Sequence, residues 1–258
     1  SIFMNSAISA IIIINPKWFD AIQLLPQALN SLMWCQERII ATSAHTNELE
    51  QIATHYKSKI VLQSGTHFSQ WRYNATKSAT NDWILFIDAD EQVTPQLAQE
   101  ITQKINQSQI VAFAIPRLNY ILNKPMKHAG WWPDYVMRLI RRPNLIGYQG
   151  KVHEQPKILG QTGHLHNYLN HFKHTSLEDM VEKTQNWSNT EGQLLFESNH
   201  PPMKSYRFIR PFISEIWSRI IIKRGFLDNT EGIIDGVYQA FSKSISYIKL
   251  WQLQQNHR

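Results

Sequence analysis

Short apolar runs and segments of helical period alternate along the first half of the chain. The runs predict buried strands at residues 8–14, 38–41, 59–63, 83–87 and 110–115. Between the runs, apolar positions spaced three and four residues apart predict helices at about 19–33, 47–56, 69–79 and 94–106. Because strands that alternate with helices usually pair as parallel neighbours, the pattern predicts an α/β fold built on a mostly parallel sheet.

The second half of the chain has a different composition. Residues 117–160 crowd aromatic residues, glycine, proline and arginine together, which is typical of a surface that lines a site. Strand-like pieces lie near 135–141 and 146–153. A long amphipathic helix is predicted at 176–197, because Ser176 can cap its start and Asp179 follows three positions later.

A polar, proline-containing segment at 199–202 is the best candidate for a linker. Two further helices are predicted beyond it, at about 204–223 and 231–249. We therefore expect a main domain of residues 1–198, with halves at 1–115 and 116–198, followed by a helical C-terminal extension of residues 199–258.

The most informative stretch is the apolar strand at 83–87, which ends in Asp88-Ala89-Asp90-Glu91. Because strand side chains alternate, Asp88 and Asp90 point the same way at the carboxyl end, where open α/β sheets bind ligands. Two such close carboxylates repel each other unless a cation lies beside them. Oxygen ligands favour Mg²⁺ or Mn²⁺, usually bound together with substrate phosphates. The alternative is a solvated strand end that precedes a helix cap.

Composition and charge narrow the choice of class and partner. A hydrophobic fraction of 43% and a charged fraction of 18% indicate a globular protein and argue against general disorder. The net charge of +6 is uneven, because residues 1–114 carry −2 and residues 115–258 carry +8. The basic half therefore suits an anionic partner, such as phosphates, an acidic glycolipid or a membrane surface, unless the charge serves solubility alone.

Two further observations concern the cell compartment. The single cysteine, Cys35, fits a reducing compartment, and we expect it as a packed thiol on an amphipathic helix. No apolar run approaches the roughly 18 residues that a membrane-spanning helix needs.

Paired tryptophans beside an acid mark a candidate sugar-binding surface. Trp131 and Trp132 precede Asp134, and a pyranose can stack on indole while a carboxylate binds its hydroxyls. Arg138 and Arg141 follow and suit a phosphate or an anionic acceptor. The alternative is that the tryptophans belong to the core.

An acid and a histidine end the strand-like piece near 146–153. Glu154, next to His153, could act as a general base, although an ordinary surface glutamate is equally consistent with the pattern. Histidines at 164, 166, 171 and 174 are too weak a pattern for a zinc site, because no cysteine accompanies them. We expect His171 instead to join Asp90 at its cation.

The stretch at 204–224 mixes aromatic, aliphatic and cationic residues. Cations beside an apolar helix face are typical of a segment that lies in a membrane interface. A helix packed on the main domain would give the same pattern.

Several of these motifs together carry a resemblance to a known family. They are Arg72-Tyr73-Asn74-Ala75, the run from Asp82 to Glu91, Trp132-Pro133-Asp134-Tyr135, Arg138-Leu139, Arg141-Arg142, Val152-His153-Glu154, Gly225-Phe226-Leu227-Asp228, Gly232 and Lys249-Leu250-Trp251. In their order and spacing the chain resembles the family 2 glycosyltransferases with a GT-A fold. More narrowly, it is similar to bacterial lipopolysaccharide inner-core β-1,4-glucosyltransferases.

The resemblance implies a nucleotide-sugar donor, usually UDP-linked, and a divalent metal. It places Asp88 beside the ribose and the metal's waters, Asp90 on the metal, and Ala89 between them at the donor. Arg72 keeps its place in the donor site, whereas Thr42 and Asn47 stand where the family has acids that grip uridine.

The resemblance also implies a single inverting displacement, in which an acceptor-side carboxylate deprotonates the incoming hydroxyl. Glu154 is the first candidate for this base and Asp134 the second. Trp131, Trp132, Arg138, Arg141 and His153 would bind the acceptor.

The predicted function is therefore transfer of a hexose, glucose from UDP-glucose, to a heptose of the lipopolysaccharide core. The protein would be cytoplasmic and peripheral on the inner membrane, with a lipid-linked acceptor, an anionic membrane surface and no nucleic acid as partners. One alternative is a non-catalytic relative that binds core oligosaccharide or scaffolds a complex. Another is a nucleotidyltransferase, but Asn15-Pro16-Lys17 lacks the glycine-rich phosphate loop that this would need.

Overall fold

The structure is a computed structural model of the 258-residue chain. It describes residues 6–15, 21–64, 68–107, 109–149 and 155–256. They form two compact units. The first lies within residues 1–117 and 134–171, and the second lies within 118–133 and 172–258.

The strands of the described residues are β1 (Ser6–Ile14), β2 (Cys35–Thr42), β3 (Lys59–Leu62), β4 (Trp83–Asp88), β5 (Glu91–Val93), β6 (Ala112–Ile121), β7 (Lys124–Pro125), β8 (Asp134–Arg141), β9 (Leu145–Gln149), β10 (Gln155–Ile158), β11 (Thr162–His164) and β12 (Leu169–His174). The helices are α1 (Ala21–Asn30), α2 (Asn47–His55), α3 (Phe68–Thr76), α4 (Pro95–Gln107), α5 (Leu177–Glu197), α6 (Ser205–Ile216) and α7 (Asn229–Asn256). The predicted strands and helices all have counterparts, and the short strands β5, β7, β10, β11 and β12 were not predicted.

The main sheet has the strand order β3-β2-β1-β4-β8-β6-β12-β5. Its first four strands are parallel, whereas β8 pairs antiparallel with both β4 and β6, and β12 pairs antiparallel with β5. In the register, Ile13 of β1 lies opposite Asp88, and Ile14 lies opposite Thr42. The carboxyl ends of β1, β2 and β4 therefore meet at one edge of the sheet.

Strand β4 is buried on both faces, as its unbroken apolar run predicts. Leu85 and Ile87 pack in one hydrophobic cluster with residues of α1, α2 and α4. Ile84 and Phe86 point the other way, into a second cluster with Trp71 and Ala75 of α3. Because apolar side chains cover both faces of β4, its last residue, Asp88, is held at a fixed position.

The second unit is mainly helical. Helix α5 is capped as predicted, because the Ser176 hydroxyl accepts a hydrogen bond from the Asp179 amide at 3.2 Å. Helix α5 packs closely along α7 at Gly192, where a Cβ atom would lie 2.8 Å from the Cβ of Lys249. A side chain at this position would force the two helices apart.

The predicted helix at 204–223 is divided. Helix α6 gives way to a π-helical turn at Trp217–Ile222, and a 3₁₀ turn at Gly225–Asp228 leads into α7. None of the described helices is long and apolar enough to cross a bilayer.

Two features differ from the expectations. Helix α5 belongs to the unit that contains α6 and α7, so the compact units do not divide at residue 198. Cys35 begins β2 and does not lie on a helix. It is buried as expected, and burial raises the pKa of its thiol, which makes it unsuited to act as a nucleophile.

Candidate active site

Asp88, at the end of β4, is bound by two arginines. Its Oδ1 accepts a hydrogen bond from Arg72 of α3 at 2.9 Å, and its Oδ2 accepts one from Arg138 of β8. Burial by itself would raise the pKa of Asp88, but the positive charges of Arg138 and Arg72 outweigh burial and hold that pKa well below its usual range. Asp88 is therefore ionised and fixed in orientation by arginines.

Glu91 lies at the centre of the same cluster and is fully buried. One of its oxygens, Oε2, accepts the backbone N–H of Asp88 at 3.0 Å. The other, Oε1, contacts Arg138 at 2.6 Å and Arg117 of β6 at 3.4 Å. A buried carboxylate is tolerated only when its charge and lone pairs are satisfied in this way.

The chain of ion pairs ends at Asp134, the first residue of β8. Arg117 lies opposite Asp134 in the β6–β8 register, and its Nη2 lies 2.7 Å from Oδ2 of Asp134. Three arginines thus alternate with three carboxylates, and we call this set the charge network: Arg72, Asp88, Arg138, Glu91, Arg117 and Asp134.

Asp90 has a different neighbour. Its Oδ2 lies 3.4 Å from Nε2 of His171, and about a quarter of the Asp90 side chain is exposed, 27%, against 8% for His171. The pairing of β5 with β12 produces this contact, because His171 lies opposite Glu91 in the register. His171 therefore lies beside Asp90, and its predicted role as a metal ligand stays a prediction.

The other three histidines of the 164–174 stretch have contacts elsewhere in the protein. His164 packs edge-on against Tyr135, the backbone of His166 donates to Glu100, and His174 pairs with Asp179 in the second unit. Within the described residues no group of three or more histidine, cysteine or acidic side chains could hold a metal by itself. Asp90 and His171 would thus leave most ligand positions of a cation to other groups, such as substrate phosphates and water.

Two of the predicted donor residues lie at the same edge of the sheet. Thr42 ends β2, two strands from β4, which corresponds to about 10 Å from Asp88 at the usual strand spacing. The Thr42 hydroxyl donates to the carbonyl of Ala44 at 3.0 Å. Asn47 is exposed at the first turn of α2, and Ala89 is half-buried directly after β4.

Two predicted acceptor residues take other positions. Arg141 pairs with Trp83 at the opposite end of β4, which places it about 16 Å from Asp88 along the strand. Arg141 thus lies at the other end of β4 from Asp88, and its role in acceptor binding stays a prediction. Arg138 is buried, and its guanidinium is bound by Asp88 and Glu91, so its contacts favour holding these acids over binding an acceptor.

The two tryptophans belong to the second unit. The indole N–H of Trp131 donates to Asp235 at 2.6 Å, and the cations of Lys173 and Arg219 each lie 5.2 Å from its ring centre. These contacts are typical of an internal anchor, not of an open stacking surface. Trp132 is partly exposed, at 37%. The predicted residues His153 and Glu154 lie outside the described residues.

Sequence reasoning missed the central part that Glu91 and Arg117 play. Arg117 interrupts the apolar strand Ala112–Ile121, and a lone arginine in such a strand is a signal that a buried acid faces it. Glu91 gave no comparable signal, because its burial results from strand pairing far along the chain.

The chain is similar to known proteins over most of its length. The model of the family described as glycosyl transferase family 2 matches residues 19–170. The chain is similar to an uncharacterized glycosyltransferase of Rickettsia conorii, with 24% identity over 239 residues, 87% of this chain and 84% of the relative. A Rickettsia typhi relative of the same description is 23% identical over 248 residues, covering 91% and 84%.

The chain is also similar to solved structures. S. aureus TarS in complex with UDP-GlcNAc is 13% identical, with 99% of this chain and 92% of that chain covered and a TM-score of 0.48. Mycobacterium tuberculosis glucosyl-3-phosphoglycerate synthase, in complex with Mn²⁺, UDP and glucosyl-3-phosphoglycerate, is 14% identical, with 44% of each chain covered and a TM-score of 0.35. Both scores are too low to add to the family match.

Proposed function

The chain belongs to glycosyl transferase family 2 and has the α/β GT-A fold of that family, and from this premise we propose that it is an inverting hexosyltransferase. The proposed donor is UDP-glucose, and the proposed acceptor is a heptose of a lipid-linked lipopolysaccharide core. The observation that carries the proposal is the acidic end of β4, where Asp88 is fixed by arginines and Asp90 is partly exposed.

The charge network gives Asp88 a specific part in donor binding. Because Arg72 binds one of its oxygens and Arg138 the other, Asp88 is an ionised and oriented hydrogen-bond acceptor. Such an acceptor suits ribose hydroxyls, and a fixed group loses little conformational entropy when the donor binds. Thr42 and Asn47, at the same edge, would hydrogen-bond the base with neutral groups.

A divalent cation fits Asp90 and His171. One carboxylate and one imidazole suffice where Mg²⁺ or Mn²⁺ is bound together with substrate phosphates, and the partial exposure of Asp90 leaves room for them. Asp88 is a poorer ligand, since both of its oxygens bind arginine. When bound, the cation would neutralise charge on the leaving diphosphate.

The proton of the acceptor hydroxyl needs a base. We assign this role to Glu154, with Asp134 as the second candidate. Asp134 is bound to Arg117 at 2.7 Å, so it would have to share its carboxylate between Arg117 and the acceptor. This contact favours Glu154.

A second candidate function is a non-catalytic protein that binds core oligosaccharide. It is favoured by Thr42 and Asn47, which stand where acids are expected, and by the internal pairing of Asp88. Such a protein would bind glycan without binding a nucleotide sugar.

A panel of nucleotide sugars tests the proposal, with thermal unfolding measured with and without Mn²⁺. We expect UDP-glucose to raise the melting temperature only when Mn²⁺ is present, because the donor phosphates complete the cation's coordination. If no nucleotide sugar stabilises the protein under either condition, the non-catalytic candidate is the better account.

The location proposed with this function is the cytoplasmic face of the inner membrane, to which the protein would bind peripherally. Support comes from the exposed apolar and basic side chains of α6, whose arrangement is considered next.

A further inference from the structure

Helix α6 and the first residue of the π-helical turn that follows it expose a stripe of large apolar side chains. Ile209, Ile213 and Trp217 are spaced four residues apart and are 60%, 59% and 59% exposed. We call these three residues the apolar stripe. Residues at this spacing lie one above the other on a helix surface, so the stripe is continuous. A continuous exposed apolar surface is costly in water and marks a site of interaction.

A basic cavity lies beside the stripe. It has a volume of about 380 Å³, within the range of ligand pockets. Six of its lining residues are basic or aromatic, namely His200, Tyr206, Arg207, Arg210, Lys243 and Tyr247, and Pro201, Pro211 and Ser214 complete the lining. Arg210 is three residues before Ile213 and is therefore its neighbour on the helix surface.

The cations of the cavity lack matching acids. None of its lining residues, all of them in the described part of the chain, is acidic. Lys243 pairs with Glu215 at 2.7 Å, whereas Arg207 and Arg210 have no carboxylate within ion-pair distance among the described residues. The Arg207 guanidinium donates to the Tyr206 hydroxyl and to the carbonyl of Pro202.

The local field of these cations is evident in Tyr206. Its pKa is lowered, first by the hydrogen bond from Arg207 and then by the charges of Arg207, Lys204 and Arg210. Two arginines three residues apart also repel each other along the helix. An anion between them would relieve this repulsion, which points to a negatively charged occupant.

We propose that the basic cavity binds the phosphate of an anionic phospholipid while the apolar stripe inserts among the acyl chains. A free phosphate would use the cations but leave the stripe in water, whereas an amphiphile uses both features. The inference rests on the membrane location proposed above, but not on the transfer reaction. It names the residues that recognise the lipid, which the location alone does not.

Binding to vesicles tests the role of the cations. Vesicles of phosphatidylcholine alone are compared with vesicles of equal parts phosphatidylcholine and phosphatidylglycerol, and bound protein is measured by sedimentation. Each cation near an anionic surface contributes roughly fivefold in partitioning, so R207Q/R210Q should bind the mixed vesicles about twenty-five-fold more weakly. The matched control K57Q/K104Q removes two exposed lysines from the first unit and should bind like the unmodified protein.

The single variant R210Q shows whether a loss of vesicle binding results from misfolding of the double variant. Arg207 contacts the Pro202 carbonyl near the start of α6, whereas the structure shows no such backbone bond from Arg210 among the described residues. R210Q should therefore keep the circular dichroism of the unmodified protein and lose about fivefold in binding. Unchanged binding by both R210Q and the double variant would overturn the proposal.

Two further experiments test the apolar stripe and the source of the phosphate separately. I209S/I213S should reduce the part of vesicle binding that persists at high salt, because that part comes from apolar insertion. Glycerol phosphate, compared with chloride at equal ionic strength, should not release the protein from mixed vesicles. If glycerol phosphate does release it, or if the stripe variant binds normally at high salt, the cavity is a site for a soluble phosphate.

This inference and the proposed function fail separately. D90N should bind mixed vesicles normally while losing metal-dependent donor binding. R210Q should bind the donor normally while binding mixed vesicles about fivefold more weakly. A protein that binds vesicles as expected but ignores every nucleotide sugar would keep the lipid site and lose the transferase proposal.

Discussion

Two arginine-containing regions of this protein differ in how their charges are satisfied. In the charge network, every arginine has a carboxylate oxygen within 2.9 Å, and Glu91 is fully buried. On α6, Arg207 and Arg210 face a cavity without an acidic lining residue in the described chain. Arginines of the first kind hold other residues of the protein in place, whereas arginines of the second kind are available to a partner.

The largest expected effect follows from removing the buried acid of the charge network. E91Q takes away a fully buried charge that contacts Arg138 and Arg117, so each arginine loses one of its two carboxylates and keeps the other, Asp88 or Asp134. Breaking a buried pair from one side costs about 3 to 5 kcal/mol of unfolding free energy. Urea unfolding measures the loss, and E48Q, on the exposed start of α2, is the matched control. A loss near that of E48Q would mean that the network is not structurally coupled.

A smaller effect, which depends on pH, is expected at Asp88. D88N removes the charge that strengthens the hydrogen bonds from Arg72 and Arg138, but asparagine keeps one acceptor oxygen and the Asp88 side chain is 30% exposed, so we expect a loss of about 1.5 to 3 kcal/mol in total. Because the folded pKa is depressed, Asp88 contributes this stability fully above its unfolded pKa of roughly 3.9. The contribution then falls as the pH drops below that value towards the folded pKa.

Unfolding free energies of the unmodified protein and D88N, measured across the acid range, check this sign. The two curves should lie apart near neutral pH and approach each other at low pH. A gap that widens as the pH falls would contradict the arginine pairing.

The smallest effect is expected on α6. R210Q should change the unfolding free energy by less than about 0.5 kcal/mol, as is usual for an exposed side chain without a buried partner. R138Q, by contrast, should cost several kcal/mol, because it leaves Glu91 buried without its nearest cation. Urea unfolding of the two variants side by side compares the regions directly. Equal losses would remove the distinction between them.

Local patterns predicted much of the fold. The apolar run of β4 and the two acids after it depend only on neighbouring residues, and so does the Ser176 cap of α5. The proximity of His171 to Asp90 was also predicted. In each case the signal lies in the spacing of residue types, which the sequence displays directly.

What could not be predicted depends on long-range pairing. The burial of Glu91 needs β5 to pair with β12, and these strands are almost eighty residues apart in the chain. Arg138 and Arg210 are the same residue type, yet Arg138 is buried between acids and Arg210 is exposed. Arg141 is near Arg138 in sequence, but strand direction places it at the other end of β4 from Asp88. Charge partners are a property of the sheet register.

The central claim is that the acidic end of β4 binds a nucleotide-sugar donor through Asp90 and a divalent cation. Calorimetric titration of UDP-glucose, with and without Mn²⁺, tests it on the unmodified protein and on D90N. The account predicts binding that requires Mn²⁺ and that weakens by at least about a hundredfold in D90N, while the unfolding free energy changes little. Equal, metal-independent binding by both proteins would contradict the account.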